Sequence, residues 1–148
     1  MDQAQRVLNI GGLIYPYKGN GRDYVNFLQR IAPLENGQYY FAVGFGADTN
    51  GLGHQAEPRG SGTPVSYPFT LFQGDAWGAE WANATPVVFD QQRSGQHAYN
   101  TDVDGFAHYG MMPDFVEEVA IEGGQPAIDT LFHSAEAYLQ MWERVESR

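Results

Sequence analysis

Asp48 follows the apolar run Tyr39-Tyr-Phe-Ala-Val-Gly-Phe-Gly46 and opens into Thr49-Asn-Gly-Leu-Gly53. An acid placed where a buried strand gives way to a glycine-rich loop holds the position of a catalytic group in an α/β enzyme. It could equally cap or turn the chain. His54, in the same loop, either faces the same mouth and touches substrate or steadies the loop. Arg59 and Arg93 are the only positive charges between residues 31 and 143. Either could hold a substrate carboxylate in a two-pronged grip, or neutralise a loop acid. Tyr15 and Tyr17 end a strand candidate and could line a pocket at the mouth. Asp102, Asp104 and His108 could converge as an O,O,N metal set. Their spacing matches neither His-Glu-x-x-His nor a calcium loop, and a hydrogen-bonded network that orients the loop is the preferred alternative. His97 reads as solvent-facing and His133 as a local cap or packing residue. Neither a nucleophile elbow nor a phosphate-cradling loop is present.

Composition narrows the classes. The 148 residues carry 43% apolar and 14% aromatic side chains, enough for one domain with a core. A complete eight-fold barrel takes about 250 residues. No apolar run approaches the roughly 20 residues of a membrane span, and the first six residues lack the basic and apolar regions of a signal peptide. A soluble chain is expected, of unassigned compartment. With no cysteine there are no disulfides and no thiolate sites. A formal charge of -10, with eight scattered Lys and Arg residues, excludes a phosphate-binding stripe and with it nucleic acid. Acids from Asp114 to Glu146 read as solvated helix faces.

The elements that must position these residues are unevenly spread. Residues 2–8 read as the end of a helix and 10–15 as a strand stopped by Pro16. Asp23 caps a helix over 23–31 with Tyr24, Phe27, Leu28 and Ile31 on its apolar side, and Pro33 ends it. Asn36-Gly37 turns the chain into a second strand at 39–45. This strand–helix–strand unit, 10–48, predicts two parallel strands of a larger right-handed α/β sheet. Residues 49–112 have little periodicity and read as a long, aromatic, packed loop. Helices return over 113–148: Pro113 opens one, Gly123-Gly124 breaks it, Pro126 restarts it, and Ser134 caps the last. There Tyr138, Leu139, Trp142 and Val145 form a stripe expected to be buried.

Val43-Gly-Phe-Gly-Ala-Asp-Thr-Asn-Gly51 resembles the eighth-strand segment of the membrane dipeptidase branch of the metal-dependent amidohydrolases. Ser66-Tyr-Pro-Phe69, Tyr99-Asn-Thr-Asp102, Gly105-Phe-Ala-His-Tyr-Gly110 and Leu131-Phe-His-Ser-Ala-Glu-Ala-Tyr138 resemble stretches of large bacterial dipeptidase-related proteins, in the same order. The resemblance implies a partial TIM-barrel-like α/β fold, the last two β/α units, with a long mouth loop and C-terminal helices. It implies the C-terminal part of a metal-dependent hydrolase of amide or dipeptide-like bonds, with Asp48 beside a zinc or other divalent centre. The family's main metal ligands lie on strands outside these residues, so no complete metal site and no activity are expected of the chain alone.

Two further classes stand beside the hydrolase: a non-catalytic binding or accessory subunit, and a self-associating protein. Open strand edges need cover. The expected partners are therefore a second copy or the missing barrel portion, with a small peptide-like substrate at the mouth.

Overall fold

The computed structural model describes residues 3–17, 19–49, 55–60 and 62–147. Five helices carry most of the regular structure: α1 (Gln3–Asn9), α2 (Gly21–Ile31), α3 (Thr101–Asp104), α4 (Met112–Phe132) and α5 (Ser134–Glu146). Asn20 starts α2. Its side chain accepts from the Asp23 amide while the Asp23 carboxylate accepts from the Asn20 amide, a reciprocal box that satisfies two orphan donors. Tyr24, Val25, Leu28 and Ile31 then recur at helical spacing and are buried. Pro33 lies in the short 3-10 turn that ends the run.

α2 packs against α4, and the contact is close because of glycines. A β-carbon on Gly21 would lie 2.3 Å from the Glu118 β-carbon, and one on Gly123 would lie 2.9 Å from the Val25 side chain. Around this pair Tyr24 and Phe115 meet edge to face with ring centroids 6.0 Å apart, and Phe45 stacks on Phe115 at 3.8 Å. Gly124, at φ 57° and ψ -157°, kinks α4 two residues before Pro126, a conformation open to glycine at little cost.

The partial barrel is not observed. The segments at 10–15 and 39–45 do run parallel around α2, but two isolated bridges, Ile14 to Val43 and Tyr17 to Gly46, are all that pair them among the described residues. The Gly44 amide donates to the Ile14 carbonyl at 3.1 Å. Gly11, Gly12 and Pro16 interrupt one segment, and Gly44 and Gly46 the other, so neither supports a continuous ladder. The sheets of the described residues are two antiparallel pairs inside the stretch expected to be irregular: β1 (Phe69–Leu71) with β2 (Val87–Phe89), and β3 (Arg93–Ser94) with β4 (His97–Ala98). The described residues are mainly helical, with no closing parallel sheet among them. Between β1 and β2, Phe72, Trp77 and Trp81 gather against Phe132, with centroids 4.8 to 5.9 Å apart. This aromatic cluster replaces regular structure as the glue of the long segment.

The last helix departs from expectation in a second way. Ser134 does not cap it; its hydroxyl donates back to the Leu131 carbonyl at 2.6 Å, and His133 occupies the cap position. The apolar stripe of α5 is outside the core. Tyr138, Leu139, Trp142 and Val145 are 49%, 55%, 52% and 57% exposed, and Ala137 alone on this helix is buried among the described residues.

Candidate functional site

Asp48 is an exposed residue in the left-handed region, at φ 50°, a conformation that aspartate tolerates better than most side chains. The Tyr17 hydroxyl donates to its Oδ2. Two parallel segments make this possible, since the Tyr17–Gly46 bridge brings the end of one beside the end of the other. That hydrogen bond, together with the charge of Asp48, pushes the Tyr17 hydroxyl above the ordinary phenol value. Tyr17 therefore keeps its proton and serves as a donor rather than as a nucleophile. Its ring, 69% exposed, is held in place at the tip.

Tyr15 and Tyr17 form one wall of a groove of about 460 Å³. The opposite wall is one face of α2, where Asp23, Asn26, Phe27 and Arg30 recur at helical spacing. Tyr15 also lines a second hollow of about 420 Å³, shared with Leu13, Gly44, Phe45, Tyr138 and Leu139. The tyrosines singled out in the sequence are thus brought together, and Asp48 fixes one of them. Arg30 and the outer face of α2 went unnoticed, although the 23, 26, 27, 30 spacing could have been read as a face.

The two arginines of the long segment are far apart in character. The side chain of Arg59 is fully buried; its Nη2 donates to Glu122 Oε1 at 2.6 Å and to Thr63 Oγ1 at 2.9 Å. Arg22 reaches the same Glu122 oxygen at 3.1 Å. Arg93 lies exposed on β3. His54 lies outside the described residues.

Arg59 belongs to a buried polar network on the inner face of α4. Asp114, Glu118 and Glu122 recur every fourth residue, a spacing that puts them on one stripe, and the first two are buried. Asp114 accepts from the Tyr67 hydroxyl. Glu118 accepts from the Gly21 amide at 2.6 Å and from the Thr101 hydroxyl. Burial pushes the carboxyls of Asp114, Glu117 and Glu118 upward, against the pull of their hydrogen bonds and of nearby cations. Burial also acts upward on Glu122, but hydrogen bonds from Arg59 and Arg22 outweigh it and hold that carboxyl below its usual range. The Nε and Nη1 of Arg59 and the Oδ1 of Asp102 are buried without a hydrogen-bond partner among the described residues. This is costly ground within the fold.

Asp102, Asp104 and His108 each serve a local bond. Asp102 Oδ2 accepts from the Val65 amide at 3.0 Å, Asp104 Oδ2 from the Asn100 amide at 2.7 Å, and His108 Nδ1 from the Gly110 amide at 3.0 Å. Asp104 Oδ1 lies 3.3 Å from His97 Nε2. His133 Nε2 meets Glu80 at 2.7 Å. Among the described residues no group of three or more His, Asp or Glu side chains is arranged to hold a metal ion.

No protein-family model, no curated protein and no solved structure matches this chain. The resemblance to the dipeptidase branch of the amidohydrolases is overturned on two grounds: nothing in the comparisons carries it, and the described residues form a mainly helical fold with two small antiparallel sheets in place of a barrel. The zinc-dependent, dipeptidase-like function inferred from it falls with the scaffold. No helix among the described residues is long and apolar enough to cross a membrane.

Proposed function

We propose that this chain is a self-associating protein whose α5 face docks on a second copy of itself. The exposed stripe of Tyr138, Leu139, Trp142 and Val145 carries the proposal. A helix stripe of this spacing is apolar because it packs on something, and the described residues leave about half of it open. The stripe continues onto the chain beside it. Tyr138 and Leu139 share a hollow with Leu13, Tyr15 and Phe45, and Arg144 near the other end of α5 donates to the Gly11 carbonyl at 2.6 Å.

The size of the face favours a stable pair over scattered surface residues. Tyr15, Tyr138 and Trp142 each leave about half of the roughly 150–250 Å² an aromatic can bury. Leu139 and Val145, each more than half exposed, add to it. The total is several hundred square ångströms, the size of the largest apolar patch on an ordinary monomer, which is often a functional one. It approaches the roughly 800 Å² per partner of a standard interface. A two-fold arrangement with α5 packed on α5 uses the same patch on both copies and closes after two. The stripe itself bears no charge, so the repulsion between two chains of formal charge -10 acts from a distance and is screened by salt.

Leu139→Arg tests the idea because the residue is exposed in the single chain and the change leaves its core intact. Light scattering is expected to give a dimer for the wild type, a monomer for the variant and thermal unfolding of the variant consistent with a folded chain. A wild type that stays monomeric at high protein concentration contradicts the proposal.

A further inference from the structure

The groove between α2 and the Tyr15–Tyr17 segment has three aromatic residues and three ionisable ones, the acids Asp23 and Glu57 and the cation Arg30. Tyr15 and Tyr17 stand on one side and Phe27 on the other, and the volume of about 460 Å³ suits a small molecule. The carboxylate of Asp23 is taken up by the Asn20 amide in the capping box at the start of α2. Glu57 has interactions of its own, and its carbonyl accepts from the Asn20 side chain at 3.4 Å. Arg30, two turns along α2 from Asp23, lines the same groove and makes no hydrogen bond or ion pair among the described residues.

We propose that this groove binds a small planar organic anion of the aryl carboxylate class, with the carboxylate on Arg30 and the ring against Tyr15, Tyr17 and Phe27. The guanidinium is a planar fork whose parallel N–H bonds match the two oxygens of a carboxylate. A flat ring gains from aromatic neighbours that are already positioned. The bond from Tyr17 to Asp48 holds one of those rings before the ligand arrives, which lowers the ordering cost of binding. Tyr15 also borders the hollow beside α5, whereas Tyr17, Phe27 and Arg30 do not line it, and the proposal does not rest on self-association.

Titration calorimetry of the full chain with benzoate tests the assignment, with benzamide as the uncharged isostere and cyclohexanecarboxylate as the anion without a flat ring. Benzoate is expected to bind at one site per chain. Benzamide is expected to be at least about tenfold weaker, the worth of charge-assisted hydrogen bonds, and cyclohexanecarboxylate weaker by a smaller factor. Arg30→Gln, at an exposed helix position where glutamine is a good helix former, is expected to weaken benzoate by a similar tenfold or more. Arg93→Gln is expected to leave it unchanged. The proposal is overturned if benzoate shows no saturable binding, if benzamide matches it, or if Arg30→Gln retains the wild-type affinity.

Discussion

Glu118 sits at 1% exposure between the first residue of α2 and the hydroxyl of Thr101, and its position sets a cost that depends on pH. Burial raises the carboxyls of Asp114, Glu117 and Glu118 above their unfolded values, 3.8 for the aspartate and 4.5 for the glutamates. In the window above those values the folded state holds more protons than the unfolded state, so stability falls as pH rises. Glu122 has the opposite sign: its carboxyl is lowered by Arg59 and Arg22, and its contribution is lost as pH falls through the folded value. As pH falls from neutral toward the unfolded values, the raised groups take up protons first in the folded state, while Glu122, with its lowered carboxyl, stays ionised. The melting temperature is therefore expected to rise on mild acidification. Glu118→Gln keeps an oxygen for the Gly21 amide and offers an N–H to the Thr101 oxygen while removing the charge. Thermal melts from pH 7 to 5 are expected to show a shallower slope for this variant. A slope equal to that of the wild type would remove Glu118 from the account.

At the scale of elements, the α2–α4 contact sets sterics against propensity. Alanine is a better helix former than glycine by about 1 kcal/mol, which alone would make Gly21→Ala stabilising. The added β-carbon would stand 2.3 Å from the Glu118 β-carbon and 2.7 Å from the Val119 amide nitrogen. Overpacking of this kind costs about 1–3 kcal/mol, and a clash with backbone cannot be relieved by rotating a side chain. Urea unfolding is expected to show a net loss; a gain would mean that the helices separate easily. Much of α2 was legible in the sequence because helical spacing and a proline stop are local signals. Its cap, however, is Asn20 and not the expected Asp23, which sits at the third helical position, so the helix starts at Gly21 rather than at 23. The kink of α4 was legible for the same reason, from Gly123, Gly124 and Pro126. The buried face of α4 was not. Asp114 and Glu118 read as solvated acids because their partners Tyr67, Thr101 and Gly21 are distant in sequence. The paired segments Phe69–Leu71 and Val87–Phe89 escaped notice because three residues carry too little pattern to mark a strand. The dipeptidase resemblance rested on short local runs, and such runs carry no information about whether a parallel sheet closes.

At the scale of the molecule, the α5 stripe was legible as an apolar stripe, but what covers it was not. Spacing says which side chains share a face, and burial depends on what lies opposite. The structure leaves that face open while Arg144 anchors the end of α5 to Gly11 and lies 4.9 Å over the Tyr39 ring. The helix is thus tied to the body along one side and presents the other. Trp142 lies in the middle of the open side at 52% exposure, and its indole reports directly on whether a second copy covers it. The chain contains two other tryptophans, Trp77 and Trp81, so subtracting the emission of Trp142→Phe from that of the wild type isolates one side chain. Recorded over a dilution series, this difference emission is predicted to move to shorter wavelength as protein concentration rises and the indole leaves water. A difference emission that stays at the wavelength of a half-exposed indole over the whole series would contradict self-association through α5.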